Sequence, residues 1–504
     1  MHRLMTARYS VYLLAALLSI VCSIWISSRE MLINPDAICY LQSAAAMKDN
    51  FHFAMSLCGQ AKWPFYSLLI AGFVHLTPFS YETSAYLING FFSLLTVLVF
   101  MRIIAFLTEK TPFEKDKTLM TLLGALVVLF AHELNAVKTY IIRDHGFWAF
   151  YLLSLLSLLY YFRERQWYYA WAWSLSIVIA TLFRIEGAIF LLVIPWMTWF
   201  DAGQSKVARA RAFLTLNSMT MIGCIAFSGF LWLYHPQITG RLAELQFQLQ
   251  HGILLVKQNF QLKSLGLAQA VLGESGARDA APVLFISLIV WYFFNVIANL
   301  SLIYSLLVCY AWYKKLFIKQ RVLWSYVFVN VFITAVFLGQ SMFLSKRYLI
   351  ALSLVLMLWV PFALYALIQQ WQKRKWPFLL AVFFISISLL GGLFDFGYSK
   401  AYVRYAGDWL SEHVPQRASL YSNDLQLMYY SHHFGNQIFA AFEHGADLHV
   451  LTNGQWKKYD YLALRLGQKE LNSASPILQD IHLIPVKIFY NKRGDQVRIY
   501  RRVL

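Results

Sequence analysis

Asp36 and Lys62 place an acid and a base in one polar stretch of an otherwise apolar chain. Arg143, Asp144, Arg184, Glu186, Lys346 and Arg347 recur at the ends of later apolar segments, as do Lys138 and Asp395. An ionisable side chain at such a position is costly unless it is paired, hydrated or functional. A carboxylate beside cations at a membrane surface suits one kind of chemistry: the acid takes a proton from a hydroxyl while the cations steady an anionic leaving group. Each member also has a plainer reading. Asp36 could cap a helix, Arg143 with Asp144 could be an interfacial pair, and Arg184 with Glu186 could shape the tight turn Phe183-Arg184-Ile185-Glu186-Gly187. Lys346 and Arg347 could snorkel to headgroups, although adjacent cations on the external side run against the usual bias.

The elements that must position these residues follow from composition. Of 504 residues, 59% are hydrophobic and only 13% charged, against about 25% charged in a soluble globular chain. The chain therefore reads as an α-helical polytopic membrane protein. Its net charge of +18 sits in short basic clusters between apolar segments, as the positive-inside rule requires, so no nucleic-acid partner is expected.

Orientation from those clusters gives about 11 spans. Tyr9 to Ser27 runs outward and, with no small-residue cleavage site after it, is expected to be retained rather than removed as a signal. The first external loop, 28–63, carries Asp36. Pro64 to Pro78 is too short to span comfortably, and the internal placement of Lys110, Lys115 and Lys117 after Ser84 to Phe106 works only if it does not cross. The remaining spans are Thr118 to His132, Gly146 to Phe162, Trp167 to Phe183, Gly187 to Phe200, Phe213 to Tyr234, Pro282 to Tyr313, Leu323 to Leu344, Tyr348 to Ile368 and Phe378 to Phe394. An external loop, 235–281, rich in Gln and Leu, reads as amphipathic helix on the membrane. Every isolated ionisable residue then falls on the external face, where acids gather with bases.

Residues 1–395 thus form a transmembrane domain. From 396 to 504 the composition turns polar, with a helix expected over Tyr402 to His413, strands over Ala418 to Ser422 and Tyr459 to Leu464, and a hairpin over Val486 to Arg501: a C-terminal extracytoplasmic α/β domain. Five cysteines are too few for a disulfide scaffold and lack metal-ligand spacing. Cys39 and Cys58 share the first loop on the oxidising side, where a disulfide between them competes evenly with two free thiols.

These residues resemble the C-type glycosyltransferase superfamily, membrane enzymes that use polyprenyl-phosphate sugars, such as protein O-mannosyltransferases and lipid A aminoarabinose transferases. Its first-loop Asp followed by Tyr and small residues resembles Asp36-Ala37-Ile38-Cys39-Tyr40-Leu41-Gln42-Ser43-Ala44, and its Lys-Pro-Pro resembles Lys62-Trp63-Pro64. An acid at the outer start of a span resembles Arg143-Asp144, its Arg-x-Glu-Gly turn resembles Arg184-Ile185-Glu186-Gly187, and its Arg-Tyr-Leu resembles Arg347-Tyr348-Leu349. Ala37 and Trp63 depart from the pattern, so no subfamily is implied.

The resemblance implies transfer of a sugar from a polyprenyl-phosphate (undecaprenyl phosphate in bacteria) to a lipid, glycan or protein acceptor, with inversion. It implies Asp36 as the general base, Asp144 orienting the acceptor or supporting Asp36, and Lys62, Lys346 and Arg347 binding the donor phosphate. Tyr40, Arg143, Arg184, Glu186 and Tyr348 would support the site. It fixes no cofactor, since some members of the family need no metal; a divalent metal, if any, would be held by Asp36 and Asp144. The setting implied is a bacterial inner membrane, with the N-terminus cytoplasmic and the tail domain periplasmic. The competing classes are a lipid-linked sugar transporter or flippase, a glycan polymerase or ligase, and a membrane-anchored interaction protein. A transporter would place its ionisable residues near the bilayer midplane, with inverted repeats; here they gather at one face and no repeat is visible.

Overall fold

The computed structural model describes residues 2–29, 32–201, 203–234, 240–316, 321–371, 375–394, 397–433, 438–439, 454–471, 478 and 483–503. The chain divides into two compact units. One comprises Met1–Ile24, Asn89–Lys138 and Arg143–Phe394; the other comprises Trp25–Ile88, Thr139–Ile142 and Asp395–Leu504.

Among the described residues, seven helices are long and apolar enough to cross a membrane, or eight when the bent pair Glu114–Leu129 and His132–Thr139 counts as one. These correspond to eight of the eleven expected spans. Of the other three, Trp167–Phe183 and Gly187–Phe200 are shorter apolar helices, and Phe213 to Tyr234 lies within the helix Lys206–Tyr234. The stretch Pro282 to Tyr313, expected as one span, is broken. As a single helix it would be about 48 Å long, well beyond a hydrocarbon core of about 30 Å. Ser301, with φ 70°, ends the helix Ala280–Leu300, and its hydroxyl accepts from Tyr304 N as Leu302–Tyr313 begins. Thr118 to His132 is also shorter than expected: the helix stops at Leu129, whose carbonyl accepts from Asn135 Nδ2 at 2.7 Å, and the chain turns by 54°. In the expected external loop, 235–239 lie outside the described residues, and Gly240–Leu267 is one continuous helix.

In the first unit the helix Asp144–Glu164 packs beside Trp167–Phe183, the two joined through Arg165 in the left-handed conformation. Gly146 permits the close approach, because a Cβ there would overlap the Phe183 ring. Polar groups in an apolar interior need partners, and these find one another. Tyr326 OH bonds Ser154 Oγ at 2.8 Å and accepts from Trp173 Nε1 at 3.1 Å, while Asn330 Nδ2 donates to Tyr151 OH at 2.5 Å. The network ties Arg321–Ser341 to both helices. Lys346–Gln369 runs through the centre, 94% of its apolar window buried, whereas Trp376–Leu393 is only 11% buried and presents Phe383, Phe384 and Leu390 outward. A helix with that exposed surface is suited to lipid.

The second unit holds a four-stranded sheet of β1 (Leu420–Ser422), β2 (Tyr461–Leu466), β3 (Leu483–Tyr490) and β4 (Gln496–Arg502), in the order β1-β2-β4-β3. β1 pairs parallel with β2, and the other pairings are antiparallel. Its core is Tyr421, Trp456, Leu462, Leu464, Leu466, Leu478, Leu483 and Tyr500. The expected hairpin turn forms at Asn491–Asp495, with Gly494 at φ 96° where a side chain would be strained. The helix Ala401–His413 lies within one residue of its expected bounds. The same unit contains the helix Pro35–Ala46, which carries Asp36, and the helix Phe65–Leu76, about 18 Å long and so short of a bilayer core.

Candidate active site

In the first unit the three later motifs assemble around Arg184. The turn that carries it is tight: Arg184 N bonds Ala180 O at 2.9 Å, and Gly187 N bonds Arg184 O at 3.0 Å. Gly187 is required there, since a Cβ would come within 3.0 Å of Thr181 backbone. The guanidinium is shared by two acids. One Nη donates to Asp144 Oδ1; the other donates to Glu186 Oε1 at 2.7 Å, with Nε 3.4 Å from Oε2. Arg184 and Asp144 are both buried. Leaving either of two such partners alone would cost about 3–5 kcal/mol, so the arrangement is mutually dependent.

The Arg184 guanidinium also lies 4.5 Å from the centre of the Tyr348 ring, and that of Arg347 lies 5.3 Å from it. Tyr348 packs edge-on against Phe337 at 4.6 Å. The aromatic ring attracts both cations. Burial alone would push the Glu186 carboxyl up. The Arg184 guanidinium beside it, with a further contribution from Arg143, instead holds it down to about 2. Burial likewise opposes the charge on Arg184, but Glu186 and Asp144 outweigh it and raise its pKa.

Lys346, the residue before Arg347, is held by an acid that sequence reasoning missed. Its Nζ donates to Glu133 Oε1 at 2.6 Å, with the Lys346 side chain 56% exposed and that of Glu133 10% exposed. Lys346 O accepts from Asn299 Nδ2 at 2.7 Å, and Ser353 Oγ donates to Asn299 Oδ1 at 2.7 Å, which fixes the start of the helix. The signal for Glu133 was present: it is an acid immediately following an apolar segment. Arg184 thus faces two acids and Lys346 pairs with Glu133, while Arg347 lies beside the Tyr348 ring.

In the second unit Asp36 lies in the first turn of Pro35–Ala46, after Asn34 at the N-cap position and Pro35 at the first helical position. It is not itself the cap. A carboxylate in that turn is favoured by the helix dipole. Its Oδ1 accepts from Gln60 Nε2 at 3.1 Å, a partner sequence reasoning did not name. Cys39, one turn further on, is joined by a disulfide to Cys58, with Cα atoms 6.1 Å apart. Lys62 ends the short turn Gln60–Lys62 and is exposed. Tyr40 is buried edge-on against Tyr66 at 5.0 Å, which makes it a packing residue of the helix. Asn34 binds both backbone groups of Ile141, accepting from N at 2.8 Å and donating to O at 3.4 Å; the segment is also held by Tyr86 OH, which donates to Thr139 O at 3.3 Å.

Arg143, Asp144, Arg184, Glu186, Lys346, Arg347 and Tyr348 thus belong to the first unit, and Asp36, Tyr40 and Lys62 to the second. Asp395 lies outside the described residues. Among the described residues no group of three or more His, Cys, Asp and Glu side chains is placed to hold a metal ion. Asp144, offered by the sequence as a ligand, has an oxygen engaged by a guanidinium that would repel a cation. The residues around it do not fit a metal.

No protein-family model matches the chain, and no curated protein sequence matches it. Solved structures do. An archaeal oligosaccharyltransferase, AglB from Archaeoglobus fulgidus, in complex with an inhibitory peptide and a dolichol-phosphate, superposes with a TM-score of 0.57 at 13% identity, covering 94% of this chain and 70% of that one. An Archaeoglobus fulgidus oligosaccharyltransferase in complex with Zn and sulfate gives 0.53 at 13% identity, over 97% and 72%. One tethered through a disulfide bond to an acceptor peptide containing the NVT sequon gives 0.53 at 12%, over 99% and 74%. At these identities the likeness is one of fold. The chain has the fold of these oligosaccharyltransferases, which are C-type glycosyltransferases.

Proposed function

We propose that this chain is an integral-membrane glycosyltransferase that moves a sugar from a polyprenyl-phosphate donor to an acceptor on the extracytoplasmic face, with inversion. The observation that carries the reading is the Arg184 clamp. It joins Asp144 and Glu186 to the Tyr348 ring beside which Arg347 also lies, and so holds these motif residues together within an oligosaccharyltransferase-like fold.

Asp36 takes the proton of the acceptor hydroxyl, whose oxygen forms the new bond to the anomeric carbon. The bond from that carbon to the phosphate oxygen breaks, and the polyprenyl phosphate leaves with the electron pair. Arg347, with Lys62 and Lys346, binds the phosphate as negative charge grows on it. Asp144 and Glu186 keep Arg184 in place, and Arg184 keeps Tyr348 and Arg347 in place.

The acceptor is a lipid, a glycan or a protein; a protein acceptor accords with the acceptor peptide bound by a structural neighbour. The setting is a bacterial inner membrane, with a cytoplasmic N-terminus, a transmembrane domain of 11 spans over 1–395, and 396–504 as a periplasmic α/β domain. The test is mass spectrometry of envelope lipids, glycans and proteins from cells with wild-type, Arg347→Ala or Asp36→Asn protein, the last two at wild-type expression. Loss of a sugar from one acceptor class in both variants is expected. Unchanged profiles, with lipid-linked sugar accumulating on the inner leaflet when the protein is removed, would establish the transporter instead.

A further inference from the structure

Three residues before Asp36, the backbone of Ile33 is gripped from the far end of the sequence. Ile33 N donates to Tyr430 OH at 3.1 Å, and Ile33 O accepts from Gln426 Nε2 at 2.5 Å. Both partners lie on the helix Leu425–Ser431, which follows strand β1. Ile33 is 1% exposed, Tyr430 3% and Gln426 9%. A buried peptide group deprived of its hydrogen bond loses about 1–3 kcal/mol, so these are the bonds that decide where this part of the chain lies.

The grip is itself oriented. An amide side chain can face either way, and here Arg465 decides: its Nη1 donates to Gln426 Oε1 at 3.1 Å, which leaves Gln426 Nε2 to face Ile33 O. Arg465 is a residue of strand β2, and its guanidinium also donates to Asp424 Oδ2 at 2.6 Å. Asn423 pairs with both backbone groups of Arg465, each at 2.8 Å. Tyr430 is fixed from behind as well. The helix Ala401–His413 packs so closely at Gly407 that a Cβ there would collide with Tyr430, and the Arg404 guanidinium lies 4.8 Å from the Tyr430 ring. From Ile33 the path to Asp36 is short and stiff: Asn34 is bonded to Ile141 on both sides, and Pro35 locks its own φ at the helix start.

We infer that the C-terminal sheet domain positions Asp36: Arg465 orients Gln426, and Gln426 with Tyr430 fixes Ile33 and thereby the first turn of the helix that carries the acid. The inference rests on the reading of Asp36 as the base. Gln426, Tyr430 and Arg465 are positioning residues and touch no reacting atom. Their loss lowers kcat and leaves the KM of the donor lipid within about twofold, because the phosphate-binding cations are untouched. A misplacement of 1 Å can cost about 10²-fold in rate; a loss on the order of tenfold is expected for Gln426→Leu.

The experiment uses the full-length protein in detergent, with transfer kinetics and hydrogen exchange read by mass spectrometry over 33–46. Gln426→Leu should lower kcat and speed exchange at the first turn of the Asp36 helix. Tyr430→Phe, which removes a single oxygen and keeps the ring beside Arg404, should do the same to a smaller degree and covers the case in which Gln426→Leu folds poorly. Unchanged exchange in both variants overturns the inference, and so does faster exchange with an unchanged kcat. Asp36→Asn run alongside separates the two levels. An inactive Asp36→Asn beside an unaffected Gln426→Leu sinks the positioning role alone, whereas an active Asp36→Asn removes the reading beneath it.

Discussion

Lys346 Nζ lies 2.6 Å from Glu133 Oε1, across 213 residues of sequence. The neighbouring cation, Arg347, instead rests on Tyr348. Of two adjacent basic residues of similar appearance in the sequence, one is thus paired to a mostly buried carboxylate, and the other lies beside the same Tyr348 ring that Arg184 meets.

Removing the Glu133 charge should release Lys346. Glu133→Gln keeps the shape and the capacity for a hydrogen bond while abolishing the competition for the ammonium, so the donor-lipid KM should fall severalfold. Lys346→Ala should raise KM, and it should also lower thermal stability by stranding Glu133. Because Lys346 is more than half exposed, that stability loss should stay nearer the ~1 kcal/mol of an exposed pair than the 3–5 kcal/mol of a buried one. Steady-state kinetics and a melting curve for each variant suffice. A rise in donor KM for Glu133→Gln would show that Lys346 does not meet the donor phosphate.

The Arg184 clamp predicts an acid-labile element. Glu186 has its pKa lowered from 4.5 to about 2 in the folded protein. A carboxyl depressed on folding contributes stability that is fully present above its unfolded value and is lost as pH falls through the folded one. The contribution should therefore fade between about pH 4.5 and pH 2, and Glu186→Gln should lack that dependence. Melting temperatures of the detergent-solubilised protein from pH 6 downward test this. Equal slopes for wild type and Glu186→Gln below pH 4.5 would remove Glu186 from the clamp.

The sequence read this clamp in part. Arg184 with Glu186 was legible because the two residues share one turn, and a pair so close in sequence has few alternatives. Asp144 as the second partner of Arg184 was not, since forty residues and two packed helices intervene. The helix Trp167–Phe183 was legible to the residue because Gln166 and Arg184 bracket an unbroken apolar run. The break at Ser301 was not, because Leu300-Ser301-Leu302 contains neither Gly nor Pro, and the break comes from the left-handed φ of Ser301. The grip of Gln426 and Tyr430 on Ile33 was equally invisible, since hydrogen bonds to a backbone leave no pattern in residue type. Hydrophobic period and charge asymmetry report on solvent and so reveal helices; partner choice depends on which helices meet.

The bridge between Cys39 and Cys58 lies close to Asp36 in the chain. Cys39 lies one turn after Asp36, and Cys58 lies two residues before Gln60, whose amide donates to Asp36 Oδ1. The disulfide therefore closes a 19-residue separation and holds the donor of that hydrogen bond against its acceptor. In the chain-entropy account a loop of this size is worth up to about 3 kcal/mol; the more specific consequence is kinetic. Under denaturing, non-reducing conditions three thiols should label, those of Cys22, Cys224 and Cys309, and five after reduction. Cys58→Ser should lower kcat severalfold, and Gln60→Leu should do the same with the bridge intact. If the bridge acts by holding Gln60 on Asp36, the double variant should lose little more than the worse single one, because residues that act through one contact are not additive. Losses that multiply would mean that the disulfide serves the fold of the loop and that Gln60 reaches Asp36 without it.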